Sequence, residues 1–173
     1  MKVYVALLRG VNLGRHNRIA MADLRALIEE LGFTDPRTHL QSGNAIFRAA
    51  SDDPDEVARA LESRLTVPVM VRTPEELAAV VSGNPFADIA TDGARLVVSF
   101  LSQAIDPGRA AEIEPSSVAP DRFHIAGREV YAWCPDGLQN SKLSYALWEK
   151  RFGVVATARN WNTVTRLLAL ARE

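Results

Sequence analysis

The apolar pattern of this chain runs through one series of elements twice, and few architectures accept such a series. Val3 to Leu8 is a short apolar run of strand length. After the polar stretch Arg9–Ala20 the period becomes helical, with Met21, Leu24, Leu27, Ile28 and Leu31 on one face and Gly32 as the stop. Arg37–Gln41 and Ala45–Arg48 read as strands around a Ser42-Gly43-Asn44 turn. Asp53-Pro54-Asp55-Glu56 starts a helix to about Leu65, since Asp is a good N-cap and Pro suits the first helical position. Pro68–Arg72 is a further strand, and Thr73-Pro74-Glu75-Glu76 starts another helix, ending near Ser82-Gly83. The second half follows the same order. Strands Arg95–Leu101, Arg122–Ile125, Glu129–Trp133 and Val154–Ala158 are interspersed with helices over Pro107–Ile113 and Lys142–Phe152. A final helix starts at Asn160, with Val164, Leu167, Leu168 and Ala171 as its stripe.

Each half therefore reads βαββαβ with an extra helix. The expected fold class is α+β, as duplicated ferredoxin-like halves. Residues 1–83 form the first half, 84–93 a linker of Gly, Asn, Pro and Asp, and 94–173 the second half. At this size each half has a thin core, so the two are expected to pack as one unit. Right-handed crossovers make the first and second strands of each half parallel. The loop after the first strand and the hairpin between the second and third then share one sheet end. The entry to the second helix and the exit of the fourth strand share the other.

Composition narrows the function classes. The net charge of −1 excludes a surface that is basic all over, as a general nucleic-acid trap would be. The single cysteine, Cys134, allows no internal disulfide and no cysteine zinc cage. No apolar run approaches a membrane span and no secretory signal is legible, so no membrane partner and a cytoplasmic location are expected. His16, His39 and His124 have no metal-ligand spacing. No Walker loop, nucleophile elbow or HExxH is present, and neither a metal nor a cofactor is expected.

The polar residues gather at the ends that topology brings together. In the first half Arg9 and Asn12 approach Gln41, Ser42 and Asn44. In the second, Ser141 and Lys142 approach Arg159, Asn160 and Asn162. No carboxylate occurs before Asp23, although Arg9, Arg15, His16 and Arg18 do. Lys142 is expected in the first turn of a helix capped by Asn140 or Ser141, and Arg159 just before the Asn160 cap. A cation there opposes the helix dipole at a cost of about 0.3–1 kcal/mol, so each place reads as an anion pocket rich in backbone N–H donors. The plain alternative is that these Asn, Ser and Gly residues close turns and caps.

The segments YVALLRGVNLG, LRALIEELGF, QSGNAIF, NSKLSYALWEKRFGV and ATARNWNTVTRLLAL resemble, in order and nearly end to end, the bacterial family called domain of unknown function 1697. The family's opening is similar to YIALLRGINVGG, where this chain has Arg15 after Gly14. Its late motif is similar to ATTRNWNTV, where this chain has Ala158. The resemblance implies the duplicated α+β fold and no particular activity. Three functions follow as expectations: binding of, or chemistry on, a small anionic ligand such as a nucleotide; RNA binding across a sheet; and a protein-interaction module. The RNA reading needs Tyr4, Phe47, Phe100, Tyr131 and Trp133 as stacking platforms.

Overall fold

The computed structural model describes residues 1–173. The element order is β1 (Lys2–Leu8), α1 (Met21–Glu30), β2 (Thr34–Thr38), β3 (Asn44–Ala49), α2 (Pro54–Glu62), β4 (Val69–Arg72) and α3 (Pro74–Ser82). It continues with β5 (Leu96–Leu101), α4 (Pro107–Ala110), β6 (Arg122–Ala126), β7 (Glu129–Trp133), α5 (Tyr145–Phe152), β8 (Ala156–Asn160) and α6 (Trp161–Ala171). The four-stranded sheets run β2-β3-β1-β4 and β6-β7-β5-β8, every pair antiparallel. That is the ferredoxin-like order, made twice. No helix is long and apolar enough to cross a membrane.

The chain divides into two compact units, Met1–Ala79 with Arg166–Glu173, and Val80–Thr165. The stretch 84–93, read from composition as a linker, lies inside the second unit. There Asn84 accepts a hydrogen bond from the Phe86 amide, and Phe86 is buried.

In the first unit one face of the sheet carries Tyr4, Ala6, Leu8, Ala45, Phe47, Val69 and Val71 against Leu24 and Ile28 of α1 and Val57 and Leu61 of α2. The residues between them, Val5, Leu7, Ile46 and Met70, are buried as well. A sheet buried on both faces explains why β1 reads as a continuous apolar run rather than an alternation. In the second unit Val130, Ala132, Cys134 and Ala156 pack with Leu143, Trp148 and Phe152. On the opposite face Leu96, Val98, Phe100 and Tyr131 are buried, and the Tyr131 hydroxyl donates to the Val80 carbonyl at 2.7 Å.

Helix starts behave as their chemistry requires. Asp53 caps α2 by accepting from the Asp55 amide at 2.9 Å, and Thr73 and Asn160 accept from Glu76 and Thr163 amides at 3.1 and 2.9 Å. Each such cap contributes about 1 kcal/mol. The helix expected over Pro107–Ile113 shortens to Pro107–Ala110, and three further changes of bounds bear on the candidate residues. β2 begins at Thr34, because an edge strand tolerates Pro36 and the register shifts between Thr34 and Arg37. α5 begins at Tyr145, after a short 3-10 turn over Leu138–Asn140, so Lys142 precedes the helix instead of lying in its first turn. β8 reaches Asn160, which places Arg159 within a strand.

Candidate functional site

The first polar cluster sits at the end of the first sheet where β1 leaves and β2 turns into β3. The Asn12 amide nitrogen donates to the Gln41 carbonyl at 2.7 Å and to the Ile19 carbonyl at 3.0 Å, while its oxygen accepts from the Ile19 amide at 2.9 Å. One side chain thus closes the Arg9–Ala20 loop on itself and ties it to the hairpin. Asn12 does this from a left-handed backbone, φ 58°, which asparagine tolerates better than most residues. Asn44 is fully buried and donates to the His39 carbonyl at 2.7 Å and to Ser42 Oγ at 3.1 Å, closing the hairpin. Gly43, at φ 89°, gives its carbonyl to the Leu8 amide. A Cβ there meets Val11 Cγ2 at 2.6 Å and Leu8 Cβ at 2.9 Å, so the QSGN motif needs its glycine for both conformation and space.

Asn12 and Asn44 therefore spend their polar atoms on the loops. The groups that face solvent are others. Gln41 and Ser42 have exposed side chains, and Arg9 is half-buried with its amide on the Pro68 carbonyl. Arg15, His16 and Arg18 are exposed, none of them has a carboxylate partner, and Arg18 Nε donates to the Gly14 carbonyl at 2.8 Å. Leu13 and Leu40 are exposed beside the Asn12–Gln41 tie.

The second cluster is differently built. Ser141 Oγ accepts from the Leu143 amide at 3.0 Å and lies 3.3 Å from the Cys134 thiol, which burial pushes up from its ordinary pKa. That is the opposite of an activated thiolate. Lys142 is exposed, without an ion-pair partner. Arg159 is buried, and one of its terminal nitrogens donates to Thr157 Oγ1 and to the Ala158 carbonyl, both at 2.8 Å. Burial lowers its pKa to about 10, with a smaller opposing influence from Tyr145. Asn160 caps α6, and the Asn162 side chain lies against Gly93, where a Cβ has no room. Ser141 and Asn160 thus accept from nearby backbone amides, Asn162 is exposed beside Gly93, and Arg159 faces inward where Lys142 faces water.

Sequence reasoning passed over Arg72. It pairs with Val5 as Arg159 pairs with Val98, is likewise buried, and donates to the carbonyl of the preceding residue, Val71, at 3.0 Å. The signal was present in the chain: an arginine directly before the N-cap, Arg72-Thr73 in one half and Arg159-Asn160 in the other.

These loops and this doubled sheet define a duplicated α+β protein with a basic loop cluster in its first half. A family model described as protein of unknown function (DUF1697) matches residues 1–131, and the chain belongs to that family. The later motifs, Asn140–Val154 and Ala156–Leu170, lie beyond the matched residues. No curated protein matches the chain. A solved structure, that of the conserved bacterial protein SP0830 from Streptococcus pneumoniae, is similar over 100% of this chain and 99% of its own, with a TM-score of 0.77 and 20% identity. That likeness is one of fold.

Proposed function

We propose that the chain binds a small phosphate-bearing ligand, of the nucleotide or sugar-phosphate kind, at the loop end of its first sheet. The observation that carries this reading is the set Arg15, Arg18 and His16: two guanidiniums and an imidazole without carboxylate partners, on a loop that Asn12 holds against the β2–β3 hairpin. Unpaired guanidiniums on a fixed loop suit phosphate, because each offers a fork of donors without first breaking an internal pair. Gln41 and Ser42 add neutral donors, and Arg9 stands at the loop's root. Lys142, beside Ser141 at the other sheet end, is a solitary surface cation and a weaker candidate. Arg159 is enclosed in the sheet and donates to Thr157 and Ala158 of its own strand. If the bound ligand reacts, positioning and charge stabilisation supply the chemistry, since Cys134 is held as a thiol.

Binding of RNA across a sheet has less to recommend it. Tyr4, Phe47, Phe100 and Tyr131 are buried and offer no stacking face. Docking of a protein partner on the same loops is a second reading, favoured by exposed Leu13 and Leu40.

Thermal unfolding at low salt against nucleotides, sugar phosphates, polyphosphate and short RNA tests the proposal. A ligand at a hundred times its dissociation constant adds about 2.7 kcal/mol. That raises the midpoint of a chain this size by roughly 5–10 °C. One phosphate class is expected to give that shift, and Arg15→Ala with Arg18→Ala to abolish it. No shift with any of them, or an undiminished shift in the double variant, overturns the reading.

A further inference from the structure

A recess of about 450 Å³ opens on the face of the first sheet turned away from α1 and α2, bounded by the end of α6. Its composition follows from register. Ile46 and Arg48 are two apart on β3 and share a face; Val3 pairs with Arg48 and Arg37 with Ile46. Val3 and Ile46 thus make an apolar floor, and two guanidiniums stand over it. Each is set beside a carboxylate. Arg37 lies 2.9 Å from Glu173 and also donates to the Leu170 carbonyl at 2.7 Å, while Arg48 lies 3.4 Å from Asp35.

Asp35 reaches its place through an irregularity. The β2–β3 register shifts between Thr34 and Arg37, and Asp35 sits in that shift with φ 53°. Such bulges re-aim a side chain out of the regular alternation. Here the re-aimed group is a carboxylate on the rim of the recess. Capping the last turn of α6 accounts for Arg37. It gives no reason for Asp35 to hold a left-handed backbone at an edge strand.

We propose that this recess binds a small zwitterion with an apolar body, of the amino-acid class. The two guanidiniums and two carboxylates among the side chains of the rim balance one another, so a ligand of single charge meets repulsion from half of them. A ligand carrying both charges finds a partner for each. The side chains remain accessible, with Arg37 at 42% and Arg48 at 45% exposure. The floor receives the apolar body, and a volume of this size accommodates an amino acid or a dipeptide. The second half has no counterpart. The positions matching Ile46, Arg48 and Arg37 hold Tyr131, Trp133 and His124, whose rings replace the floor and the cations. This site shares no residue with the phosphate-binding loops and stands apart from that reading.

Amide chemical shifts of the whole chain, followed during titration with L-leucine, isocaproate and isoamylamine, test it. These probes carry both charges, the carboxylate alone and the ammonium alone on like apolar bodies. L-leucine is expected to move the amides of Asp35, Arg37, Ile46 and Arg48, and the two single-charge analogues to bind about tenfold more weakly, the worth of one charge-assisted contact. Asp35→Asn keeps a residue tolerant of the left-handed backbone and removes the ammonium partner. It is expected to lower leucine affinity to that of isocaproate while the rest of the spectrum is unchanged. Arg48→Ala removes a carboxylate partner from an exposed position and is expected to weaken leucine by a similar factor. No movement of these amides with L-leucine, equal binding of all three probes, or unchanged affinity in both variants overturns the proposal.

Discussion

The two halves of the molecule share a device and differ in nearly everything around it. In each, the last strand carries a buried arginine at or next to its final residue, which donates to the carbonyl behind it and is followed by a side chain that caps the next helix: Arg72 and Thr73, Arg159 and Asn160. The surroundings diverge. Arg72 lies 3.8 Å from the Glu76 carboxylate, whereas Arg159 donates to Thr157 Oγ1. The first half alone carries the long basic loop and the charged recess, where the second carries aromatic rings. A feature present in both halves, where the loops differ, is explained by the needs of the fold. A feature present in only one half is not, and function is to be sought there.

The hairpin glycines put the comparison under most strain. Gly43 and Gly127 occupy corresponding hairpins, both with positive φ, but a Cβ on Gly43 strikes Val11 and Leu8 while one on Gly127 meets open space. Gly127→Ala is expected to cost about 1 kcal/mol, the backbone term alone. Gly43→Ala adds overpacking and is expected to cost roughly 2–5 kcal/mol. Chemical denaturation of both variants checks this, and equal losses break the distinction between the hairpins. A smaller effect is expected from Thr157→Val, which keeps the shape and removes a hydroxyl acceptor from a buried guanidinium. It is expected to cost about 1–3 kcal/mol in the same assay. No loss at all denies Thr157 its part in the buried arginine's support.

Much of the fold was legible because its signals are local. The N-cap chemistry of Asp53, Thr73 and Asn160 marks three helix starts, and the doubled βαββαβ order fixes the topology that joins Asn12 to Gln41. The misread bounds have physical causes. Asp35-Pro36 looks like a break, yet an edge strand absorbs it as a bulge. Residues 138–144 look like a helix start, yet they make a 3-10 turn and an extended approach to α5. The candidate site was half legible. Topology gathers its residues, but only coordinates reveal that Asn12, Asn44 and Arg159 turn their polar groups inward and leave Arg15, His16 and Arg18 outside. The recess was not legible at all, since it depends on one register shift and on α6 ending beside Arg37.

The most direct measurement of the claim that shared features build the fold and unshared ones serve function is a pair of melting curves, each with and without the phosphate class that stabilises the parent. Arg15→Ala with Arg18→Ala is expected to melt within about a degree of the parent and to lose the ligand shift, because exposed cations without an ion pair contribute little to stability. Thr157→Val is expected to melt lower and to keep the full shift. The reverse pattern, a loop variant that unfolds early and a Thr157 variant that no longer responds to ligand, contradicts the account and makes the basic loop a part of the fold.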